Sequence, residues 1–298
     1  MATEVRQFPL RDVRKDELED LCGGPLIAIQ RIDGGLSNTI HRCVLADGDI
    51  LAVKHYSGGR EWFEAELVTL TLLYGSLPVP EVVSVDEARQ AIVYRWIDGI
   101  TLNECRRSAT PDGFATLAEP IGRTLAKIAA TDSSEPYELS PILDEARRAL
   151  AVGRARRRLG GPLSDTLSRL LDAHEPALAW GKVCLVHGDL GGRNLLVRRV
   201  EKDVYKIAGI IDWEACTTGG PLADLGSLFR YSDRYPSAWI ERFASGYCAV
   251  GELPHDWLRF ARLLDATWIV DTLDDEQEME DVFQECRELV VKLVRDFC

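Results

Sequence analysis

The chain sets a carboxylate and a carboxamide five positions apart in His187-Gly-Asp-Leu-Gly-Gly-Arg-Asn194, directly behind the apolar run Val183-Cys-Leu-Val186. Eighteen residues beyond Asn194 a second apolar run, Ile207-Ala-Gly-Ile-Ile211, delivers Asp212-Trp-Glu214, so a further carboxylate emerges at a strand end. An Asp or Asn in a glycine-rich turn is by itself usually a turn residue that bonds local backbone. The joint occurrence of Asp189, Asn194 and Asp212 at this spacing between apolar strands is instead the layout of a phosphoryl-transfer loop. In that chemistry Asp189 orients or deprotonates an acceptor hydroxyl, while Asn194 and Asp212 hold magnesium across a triphosphate.

Such a loop needs elements to position it and a cation to hold phosphate. Ile27-Ala-Ile-Gln-Arg-Ile32 and His41-Arg-Cys-Val-Leu45 read as strands around the turn Asp33-Gly-Gly-Leu-Ser-Asn38, and Asp47-Gly48 turns the chain into a third strand, Ile50 to Tyr56, that carries Lys54. From Arg60 to Tyr74 the apolar residues Phe63, Leu67, Leu70 and Tyr74 recur at helical steps. Glu66 borders that stripe, whereas Glu61 and Glu64 are freer, which makes Glu66 the expected partner of Lys54. Gln90 to Ile97 reads as a strand broken by Asp98-Gly99, and residues 100–298 read mainly as helices with catalytic strands at 183–186, 195–200 and 204–211. Asp144 to Leu159 is expected as one helix whose basic end, Arg154-Ala-Arg-Arg-Arg158, complements the macrodipole and faces water.

At 298 residues the chain is long enough for one large domain or two lobes. Lysine and arginine total 35 against 48 acids, a net charge of −13, which argues against a nucleic-acid partner and accommodates a cationic ligand. The eight cysteines form no Cys-x-x-Cys pair and no regular framework, so free thiols are expected. The first residues lack an apolar signal core, and no run approaches the ~18 apolar residues of a membrane span, so no membrane partner and a cytoplasmic location are expected.

His-Gly-Asp followed by four residues and Asn, then Ile-Asp-Trp-Glu, resembles the aminoglycoside phosphotransferase family of small-molecule kinases. Thr217-Thr-Gly-Gly-Pro-Leu-Ala-Asp-Leu225 is similar to that family's short turn into a helix and leaves no room for a peptide-docking activation segment. The resemblance implies an α+β, bilobal protein-kinase-like fold. Residues 1–97 would be a nucleotide-binding lobe, a small β-sheet plus one helix, and residues 98–298 a mainly helical catalytic and substrate lobe. It further implies that Ser37 covers the triphosphate, that His187 supports the loop, and that Glu66, twelve residues before Pro78, pairs with Lys54. The Arg95 carbonyl and Ile97 amide are the groups matching the adenine contacts of the hinge. ATP is the expected nucleotide, with GTP left open and magnesium as the metal.

For the acceptor, Trp268, Asp271 and Asp275 fall on one helical face at i, i+3 and i+7, an aromatic plate beside two carboxylates, with Glu214 close to the reaction. The family framework serves aminoglycosides, macrolides, peptide antibiotics, choline, homoserine and sugars. An aminoglycoside-like cation is the leading expectation, a kinase of another of these small molecules the alternative, and a degenerate nucleotide-binding module the reading from a different class.

Overall fold

The computed structural model describes residues 8–32, 37–133 and 137–297. The Gly34-Gly-Leu36 part of the expected phosphate loop lies outside them, whereas Ser37 and Asn38 lie within. The chain opens with α1 (Lys15–Cys22), β1 (Leu26–Ile32), β2 (Thr39–Leu45), β3 (Ile50–His55), α2 (Arg60–Leu73), β4 (Val82–Asp86), β5 (Ala91–Arg95), β6 (Ile100–Thr101) and α3 (Leu102–Ser108). The helices α4 (Pro111–Ala115), α5 (Ala118–Ala129), α6 (Ser140–Val152), α7 (Arg154–Leu159) and α8 (Gly161–Leu178) follow, then β7 (Cys184–Val186), β8 (Leu195–Glu201) and β9 (Val204–Ile210). Last come β10 (Thr217–Gly219), α9 (Leu222–Leu228), α10 (Ser237–Cys248), α11 (Trp257–Asp274) and α12 (Glu280–Arg295). By packing, Met1–Thr110 and Arg193–Cys216 form one compact unit, and Pro111–Gly192 with Thr217–Cys298 form the other. The units are therefore not contiguous in sequence, as lobes of 1–97 and 98–298 would be.

In the first unit an antiparallel sheet runs in the order β1-β2-β3-β5-β4, and β6, β8 and β9 make a second, three-stranded sheet. β2 alternates buried and half-buried residues, the period of a strand with one covered face. β3, the middle strand, is buried almost throughout, so Lys54, between Ile40 and Ile92, sits in an interior position rather than at a wet strand end. α2 ends at Leu73, and Tyr74 is exposed in an extended conformation. The helix consequently buries Phe63, Glu66, Leu70 and Leu73, a face turned from the expected Phe63-Leu67-Leu70-Tyr74 stripe, and Glu66 lies at its centre instead of its border. β4 was not foreseen: its Val82-Val-Ser-Val segment is a short edge strand with only half-buried residues on its inner face.

His55, the last residue of β3, is fully buried with no hydrogen-bond partner on either ring nitrogen. Burial first, then the positive charge of Arg11, pushes its pKa down to about 4, although the Glu17 carboxylate lies 3.6 Å from Nε2 and Asp86 also pulls upward. The unfolded chain takes up this proton near the ordinary 6.5, so the contribution is intact above that pH and is lost as pH falls toward 4. The shift corresponds to at most about 3 kcal/mol. His55→Leu is therefore expected to lose less thermal stability than the parent between pH 7 and pH 4.5; equal losses in the two proteins would show that His55 is not the titrating group.

The second unit is mainly helical. Its centre is an aromatic cluster in which Phe229 meets Phe243 at 4.9 Å and Trp257 at 5.2 Å, edge to face. The expected helix over 144–159 is two helices, α6 and α7, broken at Gly153. A side chain there would meet Asp274 Oδ1 at 2.2 Å and the Ala149 backbone at 2.8 Å. Asp274 Oδ1 instead accepts from the Ala155 amide at 3.0 Å, satisfying a donor in the first turn of α7. The basic run does not simply face water. Arg158, mostly buried, donates to the Leu273 and Asp275 carbonyls at 2.7 and 2.8 Å, pairs with Glu278, and stacks 3.7 Å from Phe283. Arg154 pairs with Glu276 at 2.8 Å and Arg148 with Asp274 at 3.8 Å.

These contacts correct the expected acidic wall. α11 stops at Asp274, and Asp275 is an extended cap residue whose Oδ1 accepts from the Gln277 amide at 2.7 Å. Arginine donors hold the last carbonyls and end the helix, so Asp275 does not share a helical face with Trp268 and Asp271. Among the described residues no helix is long and apolar enough to cross a membrane.

Candidate functional site

In the first unit β8 and β9 deliver the chemistry side by side. Leu195 pairs with Ile210, and the Ile211 amide donates to the Asn194 carbonyl at 3.0 Å, so Asn194 and Asp212 stand at the same end of adjacent strands. The Ile210 amide donates to the Pro78 carbonyl at 2.7 Å, and the buried Trp213 indole donates back to the Ile210 carbonyl at 2.9 Å. Between these anchors Asp212 takes a left-handed conformation, φ 70°, that turns the chain sharply out of the strand. A non-glycine residue held there is a mark of local constraint.

The Lys54 ammonium is the centre of this site. It lies 2.5 Å from Glu66 Oε2, 2.5 Å from Asp212 Oδ1 and 2.8 Å from Glu214 Oε2. The Asn38 amide donates to Glu214 as well, and its carbonyl oxygen accepts from the Ser57 amide at 3.1 Å. Burial alone would discharge Lys54, but the Asp212 and Glu66 charges overcome it and hold the ammonium well above its ordinary pKa. Glu214 moves the other way from a free carboxylate: burial raises its pKa, with Lys54 opposing and Asp212 adding.

Three carboxylates facing one ammonium leave two negative charges uncompensated if all ionise. Oxygens of Glu66, Asp212 and Glu214 lie within 4.8 Å of one another, and Asn194, buried, adds a carboxamide to the same strand end. Hard oxygen donors with surplus negative charge fit magnesium, which binds through one or two carboxylates and shares its remaining positions with phosphate and water.

In the second unit the loop after β7 is built by a helix that follows it in sequence. β7 pairs with β10, Val186 opposite Thr217, and the chain then turns into α9. Asp224, buried on that helix, accepts from the His187 amide at 2.9 Å and the Gly188 amide at 3.1 Å. Burial raises the Asp224 pKa, and His187 with these two amides opposes the rise. Gly188 has φ 82°, in the left-handed region open to glycine. The imidazole of His187 is fully buried and its Nδ1 accepts from the Asp189 amide at 3.3 Å, a long bond that supports the loop backbone. The carbonyl of Asp189 accepts from the Gly191 amide at 2.8 Å, closing a tight turn behind the carboxylate.

Lys54, Glu66, Asp212 and Glu214 are thus brought together in one cluster, with Glu214 bonded to Lys54 and Asn38. Ser37 is half-buried beside Asn38. Arg95 is exposed, its guanidinium on Glu81 and Asp49, while its amide donates to the Glu81 carbonyl at 3.0 Å; Ile97 is half-buried. Trp268 is 46% exposed on α11 and Asp271, also exposed, lies one turn on. The sequence reading did not anticipate Arg230, which stacks 3.9 Å from the Trp268 ring and pairs twice with buried Asp265 at 2.8 Å. Asn38 and Tyr56 were missed too. Asn38 sits in the turn read for its glycines, and Tyr56 follows Lys54 by two residues, a same-face signal on a strand.

Solved structures with the same fold cover nearly the whole chain. A macrolide 2'-phosphotransferase from Brachybacterium faecium is 19% identical, with 92% of this chain and 96% of that chain covered and a TM-score of 0.67. A GDP complex of an aminoglycoside 2'-phosphotransferase is 17% identical, covering 95% and 98%, with a TM-score of 0.73. A choline kinase from Streptococcus pneumoniae is 16% identical, covering 95% and 97%, with a TM-score of 0.67. At these identities the likeness is one of fold, and it is the α+β kinase-like fold expected from the sequence. No curated protein sequence matches the chain. The sequence profile of the phosphotransferase enzyme family matches residues 28–263, most of the chain, and the protein belongs to that family.

Proposed function

We propose that the protein transfers the γ-phosphoryl group of ATP to a hydroxyl of a small molecule, with magnesium as the metal. The observation that carries this is the Lys54 ammonium gathered with Glu66, Asp212 and Glu214 in a buried, acid-rich cluster. Lys54, held by Glu66, binds the α and β phosphates, Ser37 covers the triphosphate, and the Arg95 carbonyl and Ile97 amide bond the base. Asn194 and Asp212 would hold magnesium, which when bound neutralises charge on the triphosphate. Asp189 accepts a hydrogen bond from the acceptor hydroxyl and takes its proton as the new oxygen–phosphorus bond forms and the bond from the γ-phosphorus to the bridging oxygen breaks, releasing ADP. Fixed positioning and charge supply most of the acceleration, because the loose transition state asks for little covalent help.

A cationic, aminoglycoside-like acceptor is supported by the net charge of −13 and by Asp271, exposed on α11. Burial and then the charges of Glu145, Asp275 and Asp274 raise the Asp271 pKa, a local excess of acid suited to a cation. Arg230 against Trp268 favours a second reading, an uncharged polyhydroxyl acceptor such as a sugar, because the guanidinium occupies the face of the aromatic plate. Asp274, Glu276 and Glu278 are also answered by arginines. Incubation with magnesium, ATP and an acceptor panel, read by mass spectrometry for a gained phosphoryl group, tests the reaction class. Repeating it from low salt to ~1 M and with Asp271→Lys separates the acceptors. A cationic acceptor requires KM to rise in both cases; indifference to both selects the uncharged one.

A further inference from the structure

Tyr56 is bonded to the wrong group for a residue that merely fills the core. It is buried, packs edge to face on Phe63 at 5.6 Å, and its amide donates to the Gln90 carbonyl at 3.0 Å, so backbone and ring are both fixed. Its hydroxyl, 2.5 Å from Glu66 Oε2, donates to the same oxygen that receives Lys54. The other carboxylate oxygen of Glu66 is buried without a hydrogen-bond partner. The face of the same ring lies 4.8 Å from the Lys54 ammonium. One phenol therefore touches both members of the ion pair and selects which Glu66 oxygen Lys54 meets.

We infer that Tyr56 is a positioning residue for the nucleotide: its hydroxyl ties the α2 carboxylate to the β3 lysine, and thereby sets where Lys54 meets phosphate. The tie is needed because Lys54 has two competing carboxylates. In this structure Asp212 is as close as Glu66, and Glu214 only 0.3 Å farther (2.8 against 2.5 Å). Without the phenol the buried carboxylate of Glu66 would be bonded by Lys54 only and could present either oxygen to it. With it, Glu66 stays oriented while Lys54 exchanges Asp212 or Glu214 for phosphate oxygen. Burial, and after it the Glu66 charge, pushes the Tyr56 pKa well up, which keeps the phenol a neutral donor.

The inference rests on Lys54 binding nucleotide, so the test begins with calorimetric titration of the parent with ATP and magnesium. Tyr56→Phe keeps the ring, its packing on Phe63 and its face toward Lys54, and removes only the hydroxyl. A hydrogen bond to a charged group predicts a Kd and nucleotide KM raised about 10-fold or more, with kcat changed much less. In a Glu66→Ala background the same substitution should leave Kd unchanged, because the phenol then has no carboxylate to hold. A general loss of packing would instead weaken both backgrounds alike. Tyr56→Phe binding like the parent, or losing as much affinity without Glu66 as with it, overturns the role of Tyr56 while the kinase reading stands. A parent that binds no nucleotide overturns both.

Discussion

Asp212→Ala is expected to fold, to lose about 10³-fold or more in kcat/KM, and to lose the magnesium dependence of what remains. Folding should survive because Lys54 keeps Glu66 and Glu214, at 2.5 and 2.8 Å, so no buried ammonium is left unpaired. The adjacent anchors are backbone or indole bonds that do not involve the Asp212 side chain, namely the Ile211 amide on the Asn194 carbonyl and Trp213 on Ile210. The left-handed φ of 70° costs alanine somewhat more than aspartate, by no more than about 1–2 kcal/mol, which is too little to unfold the protein. What disappears on the proposed reading is a hard oxygen ligand, and with it several kcal/mol of charge stabilisation on the transferring group. Titration of activity against magnesium checks this: an unchanged metal requirement would remove Asp212 from the metal site.

Asp189→Asn should behave differently, with nucleotide affinity close to the parent's and turnover lower by roughly 10²-fold or more, as loss of a positioned base entails. The loop around it is held in large part by backbone bonds. The Asp189 amide donates to His187 Nδ1, its carbonyl accepts from Gly191, and Asp224 fixes the two preceding amides, all of which an asparagine retains. The expected signature is therefore a fall in kcat with little change in the Kd of magnesium ATP. Turnover equal to the parent's would show that another group receives the hydroxyl proton.

The strands and α2 were legible because each is a local pattern: β2 alternates, α2 repeats its apolar residues at helical steps, and Asp47-Gly48 marks a hairpin turn. Lys54 and Glu66 could be paired from the face that Glu66 shares with Phe63 and Leu70, and the structure joins them at 2.5 Å. Asn38, 176 residues from its partner Glu214, could not be read this way, since periodicity says nothing of which distant carboxylate an amide meets. The acidic run 271–278 misled for a related reason. The arginines that pair with its side chains lie 120 to 126 residues earlier, so each block read alone looks like a solvated charged face, whereas together they end α11 and cap α7. The break at Gly153 belongs to the same contact, because the room it makes is taken by Asp274.

The fate of the terminal phosphate tests the central claim most directly. The parent protein, given magnesium and ATP labelled in its γ-phosphate together with a pool of hydroxylated small molecules, should move the label onto one of them, at a rate that collapses in Asp189→Asn while nucleotide binding persists. Label released only as inorganic phosphate, retained on the protein, or left on ATP across a broad acceptor pool would contradict it.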